Sequence, residues 1–192
     1  MKGYNKLRRT AFDLLENKLS KKLTYHGIHH TLDVLDTVNF FIRKDKIKGL
    51  DAQLLRIAAL YHDIGFTETY KEHEAKGVEI LQHYMEMYGC DMKLFKRLAS
   101  MIMATKIPQN PKNKLENILC DADLFYLGGK NYYSISKTLY KELKNYKLID
   151  SEEAWKNIQV TFLTGHGYHT SYAKKHLQQG KYDRVKEITG QS

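Results

Sequence analysis

Nine histidines and a few placed aspartates carry most of the chemistry this 192-residue chain has to offer. Three of the histidines, His26, His29 and His30, lie in TYHGIHHTLDV. The pair His62-Asp63 follows the apolar run LLRIAALY, and Asp121 and Asp123 lie in CDADLFYLGG. Imidazole and carboxylate together suit borderline or hard divalent ions (Mn, Fe, Co, Ni, Zn or Mg) in sites that keep positions open for water. Within Leu54–Phe66, Leu54 or Leu55, Ala58 and His62 recur at helical spacing, so the apolar face also carries the histidine. A His and an Asp buried at the end of such a helix are costly unless paired or bound to metal.

Other nucleophilic chemistry has little support. There is no GxSxG elbow, and Cys90 and Cys120 sit in otherwise apolar helical surroundings with no CxxC partner. The two cysteines suggest no disulfide framework, and a reducing cytoplasm is the expected compartment. The first residues are charged throughout, which suits an amphipathic helix and supports neither a secretory signal nor a membrane span.

The elements that must position these groups read as helices throughout. Tyr4–Leu19 and His30–Ile42 each carry an apolar face, and Asp51 is the expected N-cap of the helix leading to His62. After a break at Gly65, Glu72–Met87 is predicted helical and stopped by Gly89, and Asp91 caps Met92–Thr105. Ile107-Pro108-Gln109-Asn110-Pro111 is a loop. Lys114–Leu127 follows, then Tyr132–Leu148, Glu152–Leu163 behind Ser151, and two short helices at about Thr170–Gln178 and Tyr182–Thr189. No segment alternates with period two, so the expected class is all-α.

Helical phase separates the two late aspartates. Leu115, Leu119, Ala122, Asp123 and Tyr126 share one face. Residues two apart diverge by about 200°, so Asp121 cannot face the pocket that Asp123 faces. Asp123 is the ligand candidate, and Asp121 is left to orient a histidine or cap a turn.

His30, His62-Asp63 and Asp123 together resemble the H…HD…D signature of the HD-domain metal-dependent phosphohydrolase superfamily. The stretches YHGIHHTLDVL, LLRIAALYHDIGFTETYKEHE, ATKIP, ENILCDADLFYLG and QVTFLTGHGYHT, spanning roughly Tyr25–Thr170, are similar to small single-domain predicted HD phosphohydrolases. The resemblance implies an all-α HD helical bundle formed by residues 1–192 as one domain. Its motif-bearing core would be about 25–128, with helices of about 130–190 packed on it. It implies His30, His62, Asp63 and Asp123 as ligands of one divalent ion, with Asp63 also fixing the attacking water. A second ion would fall to His73, since His83 is rotated by about 80° from it. His26 becomes a pocket-wall candidate, open between substrate contact and packing, while His29 is about 100° off the ligand face.

The implied reaction is hydrolysis of a phosphate monoester or diester, with a nucleotide as the expected substrate. Lys106 and Lys130, each just after an inner helix, are candidates to neutralise phosphate charge, with solvated surface lysines as the alternative. His166 and His169, three apart in GHGYHT, either close the pocket from the C-terminal side or have no chemical role. A non-catalytic metal- or nucleotide-binding sensor and a di-iron oxygenase on the same fold are the alternative functions.

Composition favours a small anionic partner over a polymer. The net charge of +9 comes from 25 Lys against 6 Arg, spread along the chain with no basic run longer than a pair. Arg is the usual reader of bases and two-pronged binder of phosphate. The excess suits a solvated surface that attracts a small anion, and nucleic acid is not the expected partner.

Overall fold

A computed structural model describes residues 1–190 as nine α-helices and two 3₁₀ turns, with no strand among the described residues. The helices are α1 (Tyr4–Lys18), α2 (Ile28–Lys44), α3 (Gly49–Tyr61), α4 (His73–Met87), α5 (Met92–Ala104), α6 (Lys114–Asp123), α7 (Tyr132–Asn145), α8 (Glu152–Gly165) and α9 (Ser171–Thr189). The 3₁₀ turns cover Ile64–Thr67 and Phe125–Gly128. The all-α expectation holds.

Helix α3 is the centre of the main core. Leu54, Leu55, Ile57, Ala58, Ala59, Leu60 and Tyr61 are all buried, so the helix is enclosed on every side rather than along one face. It packs against α1, α2, α5 and α6. A second, smaller apolar cluster joins Leu124 and Leu127 to Tyr132, Leu163, Tyr168, Ala173 and Leu177. It covers the 3₁₀ turn after α6 with α7, α8 and α9.

Side-chain caps set several helix starts. Asp91 accepts from Lys93 N, Asn113 from Leu115 N and Glu116 N, Ser151 from Ala154 N, and Thr170 from Ala173 N. Asp51 is not the cap of α3. It lies inside the first turn, where it suits the helix dipole, and its Oδ1 accepts from Arg97 Nη2 at 2.7 Å.

Helix α2 starts at Ile28 and runs to Lys44, α7 ends at Asn145 and α8 runs on to Gly165, shifts of two or three residues from the sequence expectation, and two further differences bear on the site. Helix α6 stops at Asp123, and the chain tightens into the 3₁₀ turn instead of continuing to Leu127. The expected pair of C-terminal helices is one helix, α9, running through Gly180. A Cβ on Gly180 would overlap the carbonyl oxygen of Gly128, and one on Gly128 would overlap that of Leu177. These glycines bring two backbones together, and neither breaks a helix.

Candidate metal centre

Four elements converge on one buried point. Near the start of α2 stands His30, at the end of α3 His62, at the 3₁₀ turn after it Asp63, and at the last residue of α6 Asp123. His62 keeps helical angles (φ −59°, ψ −40°), while Asp63 (φ −108°, ψ 5°) turns the chain out of the helix. Consecutive residues are thereby aimed at a shared centre.

The donor atoms are closely grouped. His30 Nε2 is 3.1 Å from Asp123 Oδ1, 3.4 Å from Asp63 Oδ2 and 3.4 Å from His62 Nε2. His62 Nε2 is 3.2 Å from Asp63 Oδ2 and 3.6 Å from Asp123 Oδ1. Ligands held about 2.1 Å from one ion lie roughly 3.0–3.4 Å from their neighbours, close to this spacing. Atoms of His30, His62 and Asp123 all lie within 4.8 Å of one another, and Asp63 joins the set through the two histidines.

Two further observations fit a cation. The His62 Nδ1–H donates to the Ala59 carbonyl at 2.8 Å. That bond assigns the neutral ring's lone pair to Nε2, the usual arrangement of a metal-binding histidine. Asp63 Oδ2 is buried and has no hydrogen-bond partner. An orphaned carboxylate oxygen is costly, and a cation between it and two imidazoles removes that cost. The group could hold a divalent ion.

The electrostatics agree. Burial opposes charge on His62, but Asp63 and Asp123 outweigh it and hold the imidazole well above the usual histidine value. Burial raises Asp63, yet the adjacent charge of His62 brings it well below the usual carboxylate range. Asp123 is likewise pushed up by burial and drawn down to about 2 by His30 and His62. Two buried carboxylates therefore demand positive charge at this point, as a proton or as a metal ion.

Glycine packing delivers His73. A Cβ on Gly65 would overlap the carbonyl oxygen of His73, so α4 starts directly against the backbone of the 3₁₀ turn. Gly65 is thus a close-contact glycine, and α3 has already ended at Tyr61. The chain enters α4 through Glu72 in the left-handed region (φ 54°). The His73 ring then stacks on Phe66 (centroids 3.9 Å apart), with its Nε2 3.4 Å from Asp63 Oδ1 and 3.4 Å from the buried Glu74. Burial lowers the His73 pKa, but Asp63 and Glu74 together leave it above the usual histidine value.

His26 is held from behind by Glu142, a fully buried residue of α7. Glu142 accepts from His26 Nδ1 at 2.5 Å, from the backbone N–H groups of Tyr25 (2.8 Å) and His26 (3.0 Å), and from the Tyr70 hydroxyl (3.2 Å). Burial raises the Glu142 carboxyl, and these donors bring it below its usual value. Phe66 also stacks on the His26 ring at 4.2 Å. Nothing in the local pattern marks Glu142, which lies 116 residues from His26.

Two cavities meet at Asp123. One, of about 310 Å³, is lined by His26, Asp63, His73, Glu74 and Asp123 at its inner end and by side chains of α7 and α8 beyond. The other, about 560 Å³, is lined by His29, His30, Asp33, Asp123 and Lys130. Tyr25 and Tyr126 line both and form the wall between them. Burial and the nearby Tyr126 and Asp123 hold the Tyr25 hydroxyl well above the usual tyrosine value, so it stays neutral.

The remaining candidates lie elsewhere. Lys106 is bonded to Glu72 at the surface and lines neither cavity. His166 sits against Lys181, which donates to its carbonyl and lies 3.0 Å from its Nδ1; burial and that lysine hold His166 at about 3. His169 donates from Nε2 to Gln109 Oε1 at 3.2 Å. Asp121, fully buried, accepts from the backbone N–H groups of His169 (2.8 Å) and Thr170 (2.7 Å). It therefore pins the start of α9 and faces away from the metal centre, as its helical phase requires. His83 lines a separate surface groove with Leu14 and Glu79.

The family model for the HD domain matches residues 27–126, just over half of the chain, a span containing His30, His62, Asp63 and Asp123. Neither the curated proteins nor the solved structures contain a match.

Proposed function

This chain belongs to the HD domain family, and on that premise we propose that it is a metal-dependent phosphohydrolase acting on a phosphate monoester or diester. The observation that carries the reading is the buried convergence of His30, His62, Asp63 and Asp123, including a carboxylate oxygen with no other partner, at the inner end of a cavity. In this reading those four residues hold one divalent ion (Mn, Fe, Co, Ni, Mg or Zn). His73 and Asp63 Oδ1 are where a second would bind. When bound, such an ion lowers the pKa of water towards neutrality and polarises a phosphoryl oxygen.

The protein's own groups do the rest. Asp63, with Oδ2 turned to the two histidines and Oδ1 towards His73, orients the attacking water. The water oxygen forms a bond to phosphorus and its proton passes to solvent. The phosphorus–ester bond breaks, and the ester oxygen leaves with the electron pair. His26, whose Nδ1 is committed to Glu142, presents Nε2 to that oxygen and supplies the proton it needs. Tyr25 and Tyr126 shield the centre from bulk water. The substrate in this reading is a small phosphate-containing molecule; the family resemblance implies a nucleotide, and were the substrate one, Lys130 on the wall of the other cavity would be the lysine to meet its outer charge.

Complete chelation should abolish hydrolysis of p-nitrophenyl phosphate, and adding back one divalent ion at a time should restore it. Activity that persists in protein shown to be metal-free would overturn the proposal.

A further inference from the structure

The cavity that reaches Asp63 and Asp123 has a lining sharply divided along its length. Its carboxylate and imidazole side chains, His26, Asp63, His73, Glu74 and Asp123, are confined to the metal end. Beyond them Leu124, Leu127, Leu139, Leu143, Phe162 and Leu163 form the walls, with neither Lys nor Arg among the lining residues. At the mouth stand Ile107 (51% exposed) and Ile158 (43% exposed), two large apolar residues left open to solvent.

Several polar side chains also line it: Tyr70 donates to Glu142 and Thr105 to the Ile102 carbonyl, while Tyr132, Ser136 and Gln159 form one polar cluster within the apolar part. Gln159 Oε1 accepts from the Tyr132 hydroxyl (3.0 Å) and the Ser136 hydroxyl (2.9 Å). With its oxygen doubly committed, the side chain's amide N–H₂ is the end left to donate to a ligand.

We infer that the substrate's non-reacting part is a compact, largely apolar group, an alkyl or alkyl-aryl chain, and not a nucleoside polyphosphate. This rests on the reading of the metal centre as a phosphate-ester hydrolase. Recognition of a polyphosphate calls for Arg or Lys donors, and Asp63, Glu74 and Asp123 would repel any phosphate not bound to the metal. An apolar chain, by contrast, gains from every methylene it buries, about 0.8 kcal/mol or roughly fourfold in binding. The volume of about 310 Å³ is at the small end for ligand pockets, roughly 300–1,000 Å³, which favours a compact group over a long polymer.

The test is a series of n-alkyl phosphates from ethyl to octyl, measured beside adenosine mono- and triphosphate on the metal-loaded enzyme. The expected result is a kcat/KM that climbs by up to about fourfold per methylene, with octyl phosphate at least about 100-fold above ethyl phosphate and above both nucleotides. Ile158→Lys, at a partly exposed position, is expected to flatten the series and keep its circular dichroism spectrum. A flat series, or a preference for either nucleotide over octyl phosphate, would overturn the inference.

Direct binding separates this inference from the hydrolase reading. Trp155 lines the cavity and is the chain's sole tryptophan, so its fluorescence reports occupancy without turnover. Octylphosphonate is expected to perturb it at concentrations at least tenfold below ethylphosphonate. That result with no hydrolysis of any ester would support the apolar chamber and overturn the hydrolase. Hydrolysis of p-nitrophenyl phosphate with no difference between the two phosphonates would do the reverse.

Discussion

Glu142 has no place in the H…HD…D pattern, yet it accepts four hydrogen bonds behind His26 and is fully enclosed. In the proposed mechanism it acts through His26, as a positioning residue. Glu142→Gln keeps the shape but weakens the hold on His26 Nδ1, and it should lower kcat by about 10–100-fold, the usual effect of losing an orienting partner. If His26 protonates the departing oxygen, the loss is large for alkyl phosphates and small for p-nitrophenyl phosphate, whose leaving group needs little help. An equal loss on both would make Glu142 purely structural. The four ligand candidates were legible because their residue types are rare in apolar helices, and phase alone turned Asp121 away from Asp123. Glu142 was not legible, because a buried glutamate has no sequence mark when its partner is on a distant helix.

The same residues set a pH dependence. His62 is held above its usual value by Asp63 and Asp123 against burial, so an ion must displace a proton to bind at Nε2. Metal affinity should therefore rise with pH, by up to about tenfold per unit while that proton is being displaced. In metal-free protein the charged His62 contributes stability that is complete below its unfolded value of about 6.5 and is lost as pH rises through the raised value. The gap in melting temperature between metal-loaded and metal-free protein should accordingly widen above about pH 6.5. A gap that narrows with rising pH would contradict this assignment of charge.

Among the elements, the interior glycines decide what packs closely. Composition alone could not distinguish a glycine that stops a helix from one that lets two backbones touch. Gly65 is the expected break after His62-Asp63, and Gly180 falls between the two expected C-terminal helices; each is a contact, with His73 and Gly128 respectively. Gly180→Ala should force α9 off the Phe125–Gly128 turn and cost about 1–3 kcal/mol, as overpacking does, measurable by denaturant unfolding. A neutral result would mean the two backbones can separate freely. Helix starts were easier to read, since Asp91, Ser151 and Thr170 each cap the helix that follows. Asp51 failed as a cap because Gly49, at φ 61°, starts α3 two residues earlier.

Across the whole molecule, the candidate site lies where two apolar clusters meet. The first surrounds α3 and supplies His62. The second, built from α7, α8, α9 and the turn after Asp123, supplies the outer walls of the cavity. The all-α class was plain in the sequence because no segment alternates and most carry helical periodicity. The cavity was not, since its walls combine Tyr25, Leu124 and Phe162, whose proximity only the tertiary fold creates. In the proposed mechanism a divalent ion held at Asp63 drives phosphate-ester hydrolysis. Its most direct test compares metal content and p-nitrophenyl phosphate turnover in the wild-type protein and Asp63→Ala after identical reconstitution and desalting. The expected result is at least one bound ion and turnover in the wild type, and loss of both in a variant that keeps its helical spectrum. Turnover by folded Asp63→Ala at the wild-type rate would contradict it.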